Sequence, residues 1–245
     1  LERKIRVGAV SYLNTKPLVY GFENGMMKDE IDLLFDYPAN LAQMLLNDSI
    51  DIGLIPVAVL GSLKEYHIIS DYCIGASKPV ASVCLFSDVP ITEVKEVLLD
   101  YQSRTSVALL KILLKEHWKI TPQLVDTQTG FQEQIKGNTG GLVIGDRALL
   151  QRQHSTYMYD LAEAWQEMTG LPFVFAAWVA NKQLSSTFIT SFNKATGAGL
   201  QHINEIVASL NFPAYDMHQY YTNNIDYNLD EQKRAAIQLY LSKLG

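Results

Sequence analysis

Four short stretches carry more polarity than helix capping requires: Ser11-Tyr12-Leu13-Asn14-Thr15-Lys16, Ser77-Lys78-Pro79-Val80-Ala81-Ser82, Ser103-Arg104-Thr105-Ser106 and Gly145-Asp146-Arg147. Each falls at the carboxyl end of a predicted strand or at a crossover between two halves of the chain. A helix N-terminus presents unpaired N–H groups and partial positive charge, and flanking hydroxyls add donors. Such a set binds anions, above all carboxylates and phosphates. Neither of the glycine-rich phosphate-binding patterns occurs, so nucleotides are disfavoured and small organic carboxylates fit best. Plainer duties compete at every position. Ser103 can cap a helix, Asn14 can form a turn, Asp146 suits an N-cap, and Ser82 can face solvent from a strand. His67, His117, His154, His202 and His218 lack metal-ligand spacing, and no Gly-x-Ser-x-Gly elbow is present. Neither a metal site nor an activated serine is therefore expected. The aromatic run "YDMHQYY" at 215–221 reads as helix packing rather than a stacking platform.

The elements that must hold these junctions alternate short β-rich runs with amphipathic segments. "KIRVGAVSY" predicts a strand and "TKPLVYGF" a helix with Pro17 in its first turn, where a missing N–H costs nothing. "DLLFDYP", "ANLAQMLLND" and "DIGLIP" continue as strand, helix and strand, the pattern of a parallel βαβ unit. Two apolar runs, "HIISDYCIG" and "VASVCLFS", flank the polar linker 76–79. The layout then restarts: "EVLLD" and "TPQLVDT" as strands around the helix "VALLKILLKEHW", "GFQEQIKGN" as a helix, and "GGLVIGD" as a strand before "RALLQRQ". "DLAEAWQEMTG" predicts a helix ending at Gly170, "LPFVFAAWVAN" a long strand, and 185–245 a tail that is helical throughout. The doubling predicts two α/β lobes, one made of 1–84 and 178–245 and the other of 85–177, with a ligand cleft between them.

Composition narrows the partners. The 245 residues are 48% hydrophobic and 19% charged with a net charge of −6, and no basic cluster interleaves with aromatics. Nucleic acid is not expected as a partner. No apolar run approaches the ~20 residues that cross a bilayer, so no membrane is expected either. Cys73 and Cys84 match neither a zinc nor a redox spacing and read as two reduced thiols, which favours the cytoplasm. The opening "LERKIRVGAV" has no Met and no apolar signal core, which leaves a processed or trimmed start open. The residues alone thus reach a two-lobed α/β protein with a cleft for a small anion, either an enzyme or a solute-binding protein.

At "VGAVSYLNTKPL" the sequence resembles the chorismate dehydratase family of the futalosine route to menaquinone. "DIGLIPVAVL", "KPVASVCLFS", "DYQSRTSVALLKILL", "GLVIGD" and "YDLAEAWQEMTGLPFVFAAWVA" resemble further family segments in the same order, over about 4–180, while the tail after Lys182 agrees only in being helical. The resemblance implies a periplasmic-binding-protein type II-like fold and a reaction needing no cofactor or metal: loss of water from chorismate to give 3-[(1-carboxyvinyl)oxy]benzoate. It implies Asn14 and Ser82 as catalytic groups, with the substrate's own enolpyruvyl carboxylate taking the proton. Ser11, Asn14, Ser82, Ser103, Thr105, Ser106 and Asp146 are then the expected substrate contacts. The sister enzyme that makes 1,4-dihydroxy-6-naphthoate is the weaker resemblance, because its N-terminal Ser-Pro-x-Pro-Asn-Asp motif is not present here.

Overall fold

The computed structural model describes residues 3–244 and places its strands in two sheets. In chain order the strands are β1 (Ile5–Val10), β2 (Ile31–Asp36), β3 (Ile52–Pro56), β4 (His67–Ala76), β5 (Val83–Ser87) and β6 (Glu96–Leu99). They continue as β7 (Gln123–Asp126), β8 (Thr139–Ile144), β9 (Tyr157–Asp160), β10 (Phe173–Ala180) and β11 (Asp226–Asn228). The helices used below are α1 (Lys16–Glu23), α2 (Pro38–Leu46), α3 (Arg104–Glu116), α4 (Asp146–Gln151) and α5 (Leu161–Thr169). The tail holds α6 (Ser186–Ala198), α7 (Ile203–Ala208), the single turn α8 (Met217–Gln219) and α9 (Glu231–Lys243).

The six-stranded sheet runs β11-β4-β10-β3-β1-β2, with β1, β2 and β3 mutually parallel and β10 antiparallel to both its neighbours. The five-stranded sheet runs β7-β6-β8-β5-β9, with β6 parallel to β7 and β8. The chain passes to the second sheet through Ser77–Ser82 and returns through 170–172. The expected lobe boundaries at 84/85 and 177/178 fall inside strands: β5 lies wholly in the second sheet and β10 wholly in the first.

Every residue of β3, β5 and β10 is buried, so these central strands are covered on both faces although β5 and β10 run antiparallel to both their neighbours. One apolar core runs from the first sheet into the second, and a smaller cluster around Phe86, Phe131 and Val143 fills the far side of the second sheet. Gly8 lets α2 approach β1, because a Cβ there would stand 2.6 Å from Leu41 Cδ2. Helix starts follow local chemistry. Pro17 and Pro38 sit in first turns, while Ser103 and Asp160 cap α3 and α5 by accepting N–H groups. Helix α5 ends at Gly170 with φ 74°, as the sequence predicts.

Two expectations are corrected. The stretch at 130–138 is no helix beyond a 3₁₀ turn, Phe131–Gln134, bounded by Gly130 and Gly137 at positive φ. Nor is the tail helical throughout. Residues 210–216, around Pro213, hold no helix, and β11 adds an antiparallel edge to β4. Three residues are too few to show a period-two pattern.

Candidate active site

The carboxyl ends of β1, β6 and β8 converge with the crossover before β5 on one cavity between the sheets, with about 490 Å³ of empty space counting its mouth. Asn14, Ser82, Ser103 and Ser106 line it, with Tyr12, Ile74, Ile144 and Phe175 among the walls. Four of the seven expected contact residues are thereby brought together. Among the described residues that line it there is no histidine, aspartate or glutamate. Elsewhere too, no three His, Cys, Asp or Glu side chains among the described residues come together as a metal site.

The other three expected contacts do different work. Ser11 is exposed and faces a neighbouring surface depression beside Lys16 and Phe35. Thr105 is buried, and its Oγ1 accepts the Ala58 N–H at 3.2 Å. The helix rotates ~100° per residue, so Ser103 and Ser106 share the cavity face and Thr105 cannot. Asp146 turns its carboxylate to the Leu13 N–H at 3.0 Å, which pins the loop after β1 to the start of α4. Burial pushes Asp146 up from the ordinary carboxylate value, against the pull of that N–H.

Ser103 settles the competition between capping and binding. Its Oγ accepts the Ser106 N–H at 3.0 Å and donates to Ser106 Oγ at 2.9 Å. A hydroxyl has one proton, so Ser103 is committed to its own helix and Ser106 keeps its proton for a ligand.

Ser82 is aimed by its neighbour. Ala81 sits at φ 64°, a left-handed conformation that a side chain resists. Its N–H donates to Asp160 Oδ2 at 2.7 Å and its carbonyl accepts from Arg152 Nη1 at 3.2 Å, so the peptides on both sides of Ala81 are held. The Gly145 N–H then donates to the Ser82 carbonyl at 2.8 Å. Gly145 itself must be glycine. Its φ is 63°, and a Cβ would meet the Tyr12 ring at 3.2 Å.

Several functional neighbours escape the sequence. The Tyr12 phenol donates to Gln102 Oε1, which also accepts from Arg147 Nη2 at 2.7 Å. Arg147 Nη2 lies 2.9 Å from both oxygens of Asp100, and its guanidinium rides 5.3 Å above the Tyr101 ring. Burial pushes both Tyr12 and Asp100 up, so Tyr12 keeps its proton. From the far end of the chain, Tyr221 donates to the Leu13 carbonyl at 2.9 Å and Tyr227 to the Asn14 carbonyl at 2.7 Å. Tyr220 donates to Ser82 Oγ at 2.7 Å. The run expected to be mere packing therefore reaches the site. The signal available was three tyrosines at 220, 221 and 227 beside polar residues, which is weak without knowing what they face.

Two mixed α/β sheets with a cavity between them at their strand ends make a periplasmic-binding-protein-like fold. A Candida albicans protein described as exhibiting the generic periplasmic binding protein fold superposes with a TM-score of 0.66 at 14% identity, covering 99% of this chain and 90% of that one. Within that class, the chain belongs to the menaquinone biosynthesis family, whose model matches residues 5–245. It is 27% identical to a Thermus thermophilus chorismate dehydratase over 98% of this chain and 94% of the relative. A Campylobacter jejuni chorismate dehydratase is 29% identical over 76% of this chain and 73% of its own length.

Proposed function

We propose that the protein is a chorismate dehydratase, converting chorismate to 3-[(1-carboxyvinyl)oxy]benzoate and water in menaquinone biosynthesis. What carries this reading is the convergence of Asn14, Ser82 and Ser106 on one cavity whose described lining holds neutral donors and no imidazole or carboxylate, in a chain whose curated relatives bear that name.

Chorismate brings two carboxylates. The ring carboxylate docks at the N-terminus of α3 beside the Ser106 hydroxyl, where donors and helix dipole favour negative charge. The ring carbon bearing the enolpyruvyl ether is vinylogous to that carboxylate. Its proton passes to the substrate's enolpyruvyl carboxylate, and the electron pair spreads through the ring into the ring carboxylate, where hydrogen bonds strengthen as charge grows. The pair then returns to expel the adjacent hydroxyl, which leaves as water with the transferred proton, and the ring becomes aromatic. Asn14 positions the carboxylate that acts as base or the leaving hydroxyl, and Ser82 donates to one of them. A substrate that supplies its own base needs no protein base in the wall. The two sheets act as lobes about Ser77–Ser82 and 170–172, and the buried free thiols Cys73 and Cys84 suit a cytoplasmic setting.

Purified protein mixed with chorismate alone, with products followed by chromatography, tests the reading. The benzoate ether should accumulate. Chorismate bound but unchanged would instead make this a binding protein, and no binding at all would remove chorismate as the ligand.

A further inference from the structure

Ser82 is not the last group in its hydrogen-bonded chain. Its Oγ accepts from the Tyr220 phenol at 2.7 Å, with Ser82 1% and Tyr220 0% exposed. Tyr220 opens a π turn, Tyr220–Asn224, the wide kind of turn that recurs at functional sites. The turn puts consecutive tyrosines on two tasks, Tyr221 on the Leu13 carbonyl and Tyr220 on Ser82.

Direction matters in a pair of hydroxyls. A phenol is a far stronger acid than an alcohol, so Tyr220 donates and Ser82 accepts. Burial holds the phenol's proton on, so this polarity does not change with pH in the working range. Ser82 has one proton and two lone pairs. With Tyr220 on one lone pair, the Ser82 proton is turned away from the protein, and the cavity is the side on which Ser82 is open. Donation by Tyr220 also polarises the Ser82 O–H and makes it a better donor in turn.

We propose that Tyr220 is a positioning residue for the dehydration, fixing Ser82 as a donor aimed into the cavity. The assignment rests on the dehydratase reading of that cavity. Tyr220 gives up no proton and touches no substrate; it acts through Ser82.

Steady-state kinetics with chorismate on four proteins test it: wild type, Ser82→Ala, Tyr220→Phe and the double variant. Tyr220→Phe is expected to lower kcat about tenfold with KM within about twofold of wild type. In the Ser82→Ala background the same change is expected to alter kcat by less than about twofold, because its only route of action is gone. Losses that multiply in the double variant overturn the assignment, as does a Tyr220→Phe protein with wild-type kcat. A purely structural tyrosine would show that second pattern, with a lowered melting temperature and normal turnover in the folded fraction. Should Tyr220→Phe alone fail to fold, the double variant, which orphans no hydroxyl, still gives the comparison with Ser82→Ala: equal kcat supports the assignment and a further drop overturns it. Wild type inert toward chorismate overturns the dehydratase reading together with this assignment. An active wild type with multiplying losses overturns this assignment alone.

Discussion

At the amino end of β1, Asp51 takes hydrogen bonds from Arg3, Arg6 and Lys182 at 2.7–3.2 Å; at its carboxyl end, the turn bearing Asn14 is held by two neutral phenols on backbone carbonyls. One six-residue strand is thus fastened by a cluster of cations on one carboxylate where it meets solvent, and mainly by neutral phenols, beside the single Asp146 carboxylate on the Leu13 N–H, where it meets the cavity. Both fastenings are long-range, so the contrast lies in chemistry and not in chain distance. An arginine at the cavity would hold a dicarboxylate substrate and its transition state almost equally, tightening binding without speeding the reaction. Neutral donors hold less in the ground state and gain as charge migrates into the ring carboxylate. Fixed cations at the opposite end stabilise the sheet without entering that balance.

The contrast breaks first at the cavity. Asn14→Ala and Ser82→Ala should each lower kcat by about 10²-fold or more while leaving the melting temperature near wild type, measured by chromatographic product assay and thermal unfolding. At the other end the signs reverse. Asp51→Asn leaves three cations facing one another, and should cost about 2 kcal/mol in urea unfolding with kcat unchanged; a fully enclosed pair would cost more, but Arg3 and Lys182 reach Asp51 from solvent.

Acid sharpens this further. Burial would raise Asp51, but hydrogen bonds from Arg6 and Lys182 overcome it and hold the carboxyl far below its ordinary value. A group depressed in the folded state contributes stability that is present above its unfolded value, near 3.9, and lost as pH falls below it. The gap between wild type and Asp51→Asn should therefore be largest near neutrality and shrink below about pH 4, followed by urea midpoints across pH. The phenol fastening should show no such window. Tyr227→Phe removes one buried hydrogen bond and should cost about 1 kcal/mol at any pH from 5 to 8, with a modest drop in kcat as the Asn14 turn loosens. The smallest effect is expected at Ala81→Gly. Glycine adopts φ 64° without strain, so stability should change by less than about 1 kcal/mol, and a kcat below wild type would show that the strain itself aims Ser82.

Local physics made the near half of this site legible. β1 and its polar turn, α3 with its cap and the Gly145 bend each leave a mark within ten residues. Asn14, Ser82 and Ser106 stand on the cavity wall with polarity that capping does not use, whereas Ser103, named with them, is spent on capping α3. Thr105 was misjudged with them, since a run of hydroxyls does not say which way each faces on a helix. The far half could not be read. Ser82 and Tyr220 are 138 residues apart and Asn14 and Tyr227 are 213 apart, and no periodicity connects them. A tyrosine among apolar residues looks the same whether its phenol ends in water, on a carbonyl or on a catalytic hydroxyl. The short edge strand β11 and the π turn failed for a related reason: tertiary partners define them, and neither is long enough to carry a pattern of its own.

The span between those partners sets an order of events during synthesis. At ribosomal speeds of about 5–20 residues per second, the Asn14 turn waits roughly 10–40 s for Tyr227 to be made. Through that interval the nascent chain holds its first polar turn without the hydroxyls that brace it. On the mechanism proposed above, catalytic competence comes only at the end of translation, and a chain interrupted before residue 220 has Ser82 but not the phenol that donates to it.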